Sequence, residues 1–341
     1  MIPPLPEGHP PVVTQKIGVL LLNLGTPDAT DIGAVRRYLR QFLSDRRVIE
    51  TPRLLWWPIL NAIILTTRPR RSAGAYSAIW DRAKGDSPLR VITRAQSEKL
   101  ASAFSADDRI IVDFAMRYGN PATGERLEAL RARGCDRILL VPLYPQYSAT
   151  TTASANDEAF RALGRMRRQP SVRTLPAYHD DPAYIDSIAS NLSGTLGKLD
   201  FAPELVLASY HGLPKSYLEK GDPYHCFCQK TTRLVRERLG WPQGRLTTTF
   251  QSRFGPGAWL SPYTEETLKA LPGTGVTRVA VIAPGFSADC LETLEELAIR
   301  GRDRFLAAGG ERFAYIPCLN DSATGMRLIE ILVRRELSGW V

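Results

Sequence analysis

The stretch KIGVLLLNL at residues 16–24 decides the fold, because it is almost wholly apolar and stops at Gly25-Thr26-Pro27. A short apolar run that ends at a turn is typical of a strand buried on both faces of a parallel sheet. Four further runs of this kind lead into loops, at residues 110–116, 137–143, 204–210 and 278–283. Helical patterns lie between them, at residues 125–133, 183–196, 228–239 and 291–301. Alternating strands and helices predict parallel sheets with helices on both faces.

The length of 341 residues suggests two such units. Each half contains a strand that ends at Gly-x-Pro and a later strand that leads into a proline loop with a serine. We therefore predict an α/β protein of two similar Rossmann-like, doubly wound domains with a cleft between them. The basic segment RMRRQPSV at residues 165–172 marks the boundary, which gives domains at 1–168 and 169–341. The last helix is expected to pack back on the first domain.

The composition, the charge and the absence of certain motifs exclude several classes of function. Hydrophobic residues make up 44% and charged residues 23% of the chain, as in soluble globular proteins. The net charge of +9 favours anionic partners, but the basic residues are scattered and no nucleic-acid-binding module is present, so we expect no nucleic acid partner. Phosphate-binding motifs of the G-x-x-x-x-G-K-[ST] and G-x-G-x-x-G types are absent. The odd count of five cysteines, with no signal peptide ahead of them, predicts reduced thiols in the cytoplasm.

The longest apolar run, LLWWPILNAIIL at residues 54–65, has two interpretations. Twelve residues cannot span a bilayer, which needs about 20. Adjacent tryptophans with arginines on both sides suit a membrane interface. A core helix beside a basic surface explains the same pattern equally well.

His211 directly follows the strand at residues 204–210 and precedes Gly212. Ligands of open parallel sheets bind beyond the carboxyl ends of the strands, so this imidazole is placed to accept a proton or bind a divalent metal. The alternative is a histidine that caps the strand by hydrogen bonds. Position alone does not decide between them.

The segment SADCLETLEEL places Asp289, Glu292 and Glu296 at spacings i, i+3 and i+7. On an α-helix these carboxylates share one face, and their repulsion has to be offset by a cation or a proton. Capping of the helix start accounts for Asp289 and Glu292 but not for Glu296. One histidine together with several carboxylates is suited to bind a divalent metal transiently and to transfer protons.

Six motifs in order, from about residue 17 to 325, resemble ferrochelatases. They are LLLNLGTPD (20–28), MRYGNP (116–121), VPLYPQYSATTTAS (141–154), SYHGLPKSYLEKGDPYHCFCQKT (209–231), FQSRFGPGAWLSPYTEETL (250–268) and PGFSADCLETLEEL (284–297). The resemblance implies the chelatase fold with a porphyrin cleft between the domains. It also implies a lyase of haem biosynthesis that inserts Fe²⁺ into protoporphyrin IX, gives protohaem and releases two protons in the last step of the pathway.

The resemblance assigns roles to individual residues. His211 and Glu292 would face the porphyrin centre and the iron, with Glu296 and Asp289 as a path leading outward. The side of metal entry stays open. Residues expected to contact the porphyrin are Arg117, Tyr118 and Tyr144 on the opposite face, Trp259 on the wall, and Arg68, Arg71 and Ser252 at the propionates. Residues 46–75 would form a lip over the cleft mouth, and 54–65 within it would contact the membrane, as in some members.

Departures from the family pattern bear on cofactors. Cluster-bearing members carry a cysteine where this chain has Ala149, and here only Cys318 lies near the end, so we expect no iron–sulfur cluster and no other resident cofactor. Cys290 replaces a histidine found in some members. Two alternatives remain. One is a chelatase of another specificity, which inserts cobalt into a corrin precursor or iron into coproporphyrin. The other is a tetrapyrrole- or metal-binding protein without turnover. The predicted location is the cytoplasm, with peripheral contact at the inner face of the membrane. Another enzyme of the haem pathway is a further predicted partner.

Overall fold

Two four-stranded parallel sheets form the framework of the protein, in a computed structural model that describes residues 8–9, 15–255 and 257–341. From edge to edge, the first sheet contains β2 (Ile110–Gly119), β1 (Lys16–Thr26), β3 (Cys135–Pro142) and β4 (Ser171–Thr174). The second contains β6 (Leu246–Gln251), β5 (Leu205–His211), β7 (Arg278–Ile282) and β8 (Arg312–Ile316). In both sheets the first strand of the chain lies between the second and the third, and all neighbours run parallel. The predicted α/β class with two similar parallel units is confirmed.

Helices connect the strands. The α-helices are α1 (Ile32–Leu43), α2 (Arg53–Pro58), α3 (Leu65–Ile79), α4 (Pro88–Ala103), α5 (Thr123–Ala132), α6 (Ser154–Leu163), α7 (Pro182–Leu196), α8 (Lys215–Glu219), α9 (Tyr224–Arg238), α10 (Thr264–Ala270), α11 (Leu291–Thr293), α12 (Arg302–Ala307) and α13 (Ala323–Leu337). Three π-helices are π1 (Ile59–Ile64), π2 (Ala149–Ala153) and π3 (Leu294–Gly301), and a 3₁₀ turn covers Leu271–Thr274.

Strand β1 shows why helices cover both faces of the first sheet. Val19 and Leu21 are buried in the same cluster as Leu100 of α4. Their neighbours Leu20 and Leu22 point the other way and pack with residues of α5. Because successive side chains of a strand point to opposite faces, an uninterrupted apolar run needs apolar partners on both sides. The doubly wound arrangement follows directly from KIGVLLLNL.

The two units share a continuous core. The cluster that contains Leu21 also contains Val206 of β5 and Leu332 of α13. Helix α13 packs against α4 of the first unit, and Arg173 Nη1 donates a hydrogen bond to the Glu336 carbonyl at 2.7 Å. Strand β4 lies beyond residue 168 but pairs with β3, so the first sheet extends past the predicted boundary.

Three strands were not identified from the sequence: β4, β6 and β8. All three are edge strands of their sheets, and β6 has the polar sequence LTTTFQ. Edge strands are covered less completely than central ones, so their sequences carry weaker apolar runs. Only the pairing partner reveals them as strands.

Residues 54–65 fold as parts of α2, π1 and α3, and each interpretation of this segment describes some of its side chains. Leu60 and Leu65 are buried like core residues. Leu54, in contrast, is 91% exposed and Trp57 is 48% exposed, and Leu55, Ile59 and Ile63 are exposed as well. The segment is therefore an amphipathic layer with one apolar face uncovered. In the described part of the chain, no helix has the length and apolar character that crossing a bilayer requires.

Candidate active site

A cleft of about 1720 Å³ lies at the carboxyl ends of both sheets. It is larger than the 300–1,000 Å³ typical of small-ligand pockets, and its walls come from both units. Among the predicted site residues, those that border it are His211, Glu292, Glu296, Tyr144, Trp259, Arg68, Arg71 and Ser252. Parallel strands explain this convergence, since their carboxyl ends meet at one edge of each sheet.

His211 is the last residue of β5, and its side chain borders the cleft. Its Nδ1 lies 2.7 Å from the carbonyl oxygen of Gly212. A carbonyl only accepts hydrogen bonds, so Nδ1 carries a proton, and the lone pair of the neutral ring is on Nε2. This arrangement leaves Nε2 to accept a proton or bind a metal.

Gly212 allows the ends of β5 and β6 to approach closely. A Cβ at this position would lie 2.7 Å from the Gln251 carbonyl oxygen and 3.3 Å from the Trp259 ring. The first distance is too short for a side chain, so only glycine fits here. The glycine thus allows the ring of the wall residue Trp259 to pack against the chain directly after His211.

Gln251, at the end of β6, connects the histidine strand with the carboxylate helix. It lies opposite His211 in the β5–β6 ladder, and its Nε2 donates to the Glu292 carbonyl at 2.6 Å. Its Oε1 accepts from the Ser209 hydroxyl at 2.6 Å. Because both ends of the amide are occupied, Gln251 fixes the start of the helix relative to β5. Gln251 was not predicted as a site residue from the sequence. Its position as the first residue of QSRFGPG, within one of the six motifs, could have indicated it.

The Glu292 carboxylate faces the first unit. Burial raises the pKa of the Tyr76 phenol well above its usual value, and the charge of Glu292 adds to the rise. Burial, Tyr76 and Glu292 together raise the pKa of Tyr38 in the same way. Both phenols border the cleft and stay protonated. Glu292 therefore lies where the two units meet, with neutral phenols opposite it.

The helix that carries Glu292 is not the single α-helix predicted over residues 291–301. After the three residues of α11 it continues as π3. Hydrogen bonds in a π-helix run from i to i+5, which changes the residues that share a face. Glu292, Glu295 and Glu296 all border the cleft. Glu295 was not predicted from the sequence, although residues three apart lie on the same face of an α-helix.

Asp289 does not border the cleft, and its place on an outward path stays a prediction. Its carboxylate is buried and accepts hydrogen bonds from the Tyr315 hydroxyl at 2.7 Å, Asn320 Nδ2 at 2.6 Å and the Thr293 hydroxyl at 2.9 Å. It precedes the helix rather than lying on its face. Asp289 thus anchors the loop after β7, and its lone pairs are used within the protein.

Glu296 is the last of the three glutamates that border the cleft, and Ser252 donates two hydrogen bonds to it. Its Oε1 accepts from the Ser252 backbone N–H at 2.7 Å and its Oε2 accepts from the Ser252 hydroxyl at 2.6 Å. Ser252 has a φ of 63°, an uncommon conformation for a residue with a side chain. The serine expected at the propionates therefore donates its hydroxyl to a carboxylate.

Arg300 supplies the positive charge that offsets the carboxylates. Its guanidinium lies 3.2 Å from Glu295, 3.8 Å from Glu296 and 3.7 Å from Glu265. Glu265 also pairs with Arg304, so Arg300 mainly offsets Glu295 and Glu296. Together with Glu292, these two carboxylates and Arg300 form a net negative group at the cleft. This charge favours a cation or protons within the cleft.

Arg117 and Tyr118 do not border the cleft, and their contact with a porphyrin face stays a prediction. The Arg117 guanidinium forms an ion pair with Asp45 at 2.5 Å. The Tyr118 hydroxyl donates to the same carboxylate at 2.7 Å and is fully buried. Ser154 also donates to Asp45 at 2.5 Å. A buried carboxylate attracts every nearby donor, and here it draws both side chains away from the cleft.

We expect Asp45→Ala to lower the free energy of unfolding by about 3 kcal/mol. The variant leaves the buried Arg117 with the more distant Glu158, at 3.6 Å, as its remaining carboxylate partner among the described residues. Burial alone would raise the Asp45 pKa, but hydrogen bonds from Ser154 and others and the Arg117 charge bring it below its ordinary value. A lowered pKa means that the contribution is present above about pH 4 and is lost as the pH falls further. Urea unfolding at pH 7 and pH 3 measures both effects.

Asp157→Ala is the matched control, since its ion pair with Arg47 is exposed. Its effect should stay below about 1 kcal/mol. Equal losses in the two variants would contradict a special role for the buried Asp45.

Tyr144 and Trp259 lie on the cleft wall, as expected. The Tyr144 ring is buried and its hydroxyl has no hydrogen-bond partner among the described residues. Burial raises the pKa of this phenol. Both side chains present flat apolar surfaces with a polar tip, which suits a planar aromatic ligand.

Arg68 and Arg71 of α3 lie at the mouth of the cleft. Neither is paired with a carboxylate in the part of the chain that the structure describes. Burial, and then the charge of Arg71, lower the pKa of Arg68. Two adjacent cations without counter-ions suit an anionic edge of a ligand. Within residues 8–9, 15–255 and 257–341, no three His, Cys, Asp or Glu side chains are grouped to hold a metal.

Known proteins resemble this chain over nearly its full length. A family model described as ferrochelatase matches residues 16–337. A ferrochelatase of Rhizobium meliloti (strain 1021) is 59% identical over 333 residues, which cover 98% of each chain. A ferrochelatase of Allorhizobium ampelinum is 58% identical over 337 residues, covering 99% of this chain and 98% of its own. Among solved structures, SirB from Bacillus subtilis with Fe³⁺ has a TM-score of 0.56 at 11% identity and covers 95% of this chain and 96% of that one, which shows a shared fold.

Proposed function

The chain belongs to the ferrochelatase family, and from this premise we propose which side chains of the cleft carry out the reaction. The protein is a ferrochelatase, a lyase-class metal chelatase of haem biosynthesis, with a porphyrin and Fe²⁺ as substrates. Insertion exchanges two pyrrole N–H protons for one Fe²⁺. The site must therefore supply a base, a route for protons and a place for the metal.

His211 is the base in this proposal. Its Nδ1 is engaged by the Gly212 carbonyl, so Nε2 is the nitrogen that accepts a pyrrole proton or binds the entering iron. The observation that carries the proposal is the connection from His211 through Gln251 to the Glu292 backbone, on one wall of a cleft large enough for a porphyrin.

Glu292 is the direct carboxylate partner of the iron or of the departing protons. Glu295 and Glu296 continue the negative charge along π3, and Arg300 limits its total. A net negative group attracts Fe²⁺ and holds protons until solvent takes them. We propose that Glu296, whose two oxygens already accept from Ser252, passes protons rather than binding the metal.

The substrate we propose is protoporphyrin IX, which becomes protohaem in the last step of the pathway. Arg68 and Arg71 match its two propionates by number and charge. The apolar lip above them suits the uncharged edge of the ring better than the two further carboxylates of coproporphyrin. We propose that no iron–sulfur cluster or other resident cofactor takes part, in keeping with Ala149 in place of a ligand cysteine.

Protein purified with a chelator should metallate protoporphyrin IX once anaerobic Fe²⁺ is supplied. The value of kcat/KM should exceed that for coproporphyrin at least tenfold, because the extra carboxylates of coproporphyrin would be desolvated at the lip. Absorption spectra follow both reactions. Equal or faster turnover of coproporphyrin would refute the substrate assignment, and a requirement for preloaded metal would refute the assignment of no cofactor.

We further propose that the lip places the enzyme on the inner face of the cytoplasmic membrane. The support is the row of exposed apolar side chains on α2 and π1 beside Arg53, which combines an uncovered apolar surface with positive charge. An apolar substrate would then pass between bilayer and cleft without crossing water.

The double variant Leu54→Glu with Trp57→Glu should bind anionic lipid vesicles at least tenfold more weakly, because each buried apolar side chain contributes about 1.5–3 kcal/mol. Co-sedimentation with vesicles of defined composition measures the change. Phe160→Glu, which alters an exposed apolar residue of α6, should leave binding unchanged. Unaltered vesicle binding of the double variant would refute the membrane proposal. If the same variant then failed to receive porphyrin from the preceding enzyme of the pathway, the lip would be a contact surface for that enzyme instead.

A further inference from the structure

A contact between the two units crosses the mouth of the cleft. The guanidinium carbon of Arg68, on α3 of the first unit, lies 4.3 Å from the centroid of the Phe254 ring, which follows β6 in the second unit. Both residues border the cleft. At this distance the ring face attracts a guanidinium, and the attraction strengthens when water is partly excluded. The contact therefore fixes the position of a cation at the entrance.

The ring is held from its own side of the cleft. The two residues before Phe254 are both anchored: Ser252 donates twice to Glu296, and Arg253 lies 3.6 Å from Glu266 and 4.8 Å from the Tyr263 ring centroid. Phe254 itself is 36% exposed and belongs to none of the buried clusters of the described residues. Its backbone is thus fixed while its ring projects to the mouth.

Arg68 has no competing partner. Within the described residues no carboxylate pairs with it, and burial and Arg71 lower its pKa. A guanidinium whose carbon lies over a ring has five N–H donors, so donors remain for a carboxylate. A flexible arginine would lose conformational entropy on binding an anion, whereas one already held by an aromatic face loses less.

We propose that Phe254 is a positioning residue for substrate recognition, which holds Arg68 across the cleft mouth so that its N–H groups meet the acidic edge of the porphyrin. This inference rests on the proposed role of Arg68 toward a propionate. It adds that affinity for the carboxylate is set jointly by the two units, since the cation comes from one and its aromatic support from the other. Phe254 does not touch the reacting atoms.

A double-mutant cycle tests the proposal through the Kd of protoporphyrin IX, measured without iron by quenching of tryptophan fluorescence. Phe254→Leu should raise the Kd about fivefold. Phe254→Tyr, which keeps the aromatic face, should restore the original value. In the Arg68→Gln background, Phe254→Leu should add no further loss. The dimethyl ester of protoporphyrin lacks the carboxylates, and its Kd should not respond to Phe254→Leu.

Different results overturn different parts of the argument. A Phe254→Leu effect that is equal for the acid and the ester, or that adds fully to Arg68→Gln, would show simple apolar packing and refute the positioning role alone. An Arg68→Gln variant with unchanged Kd for the acid would refute the proposed carboxylate contact itself. Phe160→Leu, at an exposed phenylalanine outside the cleft, is the matched control and should leave both Kd values unchanged.

Discussion

His211→Ala is expected to lower the kcat for iron insertion by a factor of about 10²–10⁴, the usual contribution of a positioned general base. The variant removes Nε2, which the Gly212 hydrogen bond to Nδ1 leaves with the lone pair. Porphyrin affinity should change little, because the cations and aromatic walls of the cleft remain. Anaerobic single-turnover absorption measurements separate the slow chemical step from binding.

Two further variants define what the histidine supplies. His211→Asn can still donate to the Gly212 carbonyl but has no basic nitrogen, so it should be as slow as the alanine variant. His225→Ala alters a histidine that does not border the cleft and should retain normal insertion. If His211→Asn kept more than half of the activity, the imidazole would be structural and the proposed base would have to be sought elsewhere.

Glu292→Gln is expected to reduce insertion about 10²-fold or more, because the amide has nearly the same shape but cannot accept a proton or neutralise Fe²⁺. The backbone bond from Gln251 to residue 292 survives the change, so the helix start should stay in place. The loss should appear in kcat and in the KM for Fe²⁺, while the Kd of the porphyrin stays near its original value.

Neighbouring carboxylates provide the comparison for Glu292. Glu296→Gln should cost less, because Ser252 already occupies its oxygens and it acts beyond the point of metal contact. Glu128→Gln, at an exposed ion pair on α5, should have no effect. A larger loss for Glu296→Gln than for Glu292→Gln would reverse the order of the two carboxylates along the path.

Most of the central framework could be predicted from local pattern. The run of β1 predicts a strand covered on both faces, and its alternate side chains do enter two different clusters. The position of His211 at the end of its strand also follows from the sequence, because the apolar run stops there. In contrast, β6 is polar and lies at a sheet edge, so its pairing with β5 could not be read from its own residues.

In the helix that carries Glu292, the periodicity of the sequence is not sufficient to predict where each carboxylate lies. The spacing of Asp289, Glu292 and Glu296 fits one face of an α-helix, but the chain adopts a π-helix from Leu294 onward. Glu295, three residues after Glu292, also borders the cleft. Asp289 instead accepts hydrogen bonds from Tyr315 and Asn320, which lie beyond this helix, and from the nearby Thr293. No local signal in ADCLETLEEL indicates the first two partners.

The sequence by itself determined the family, the class of fold and the strand-end histidine, since long motifs and apolar periodicity are properties of the local chain. Tertiary structure alone decided that Asp45 draws Arg117 and Tyr118 away from the cleft and that Phe254 supports Arg68 across its mouth. The physical reason is that buried polar and charged groups take whichever partners folding brings near. Those partners lie tens to hundreds of residues apart, so residue type predicts the chemistry and only packing selects the contact.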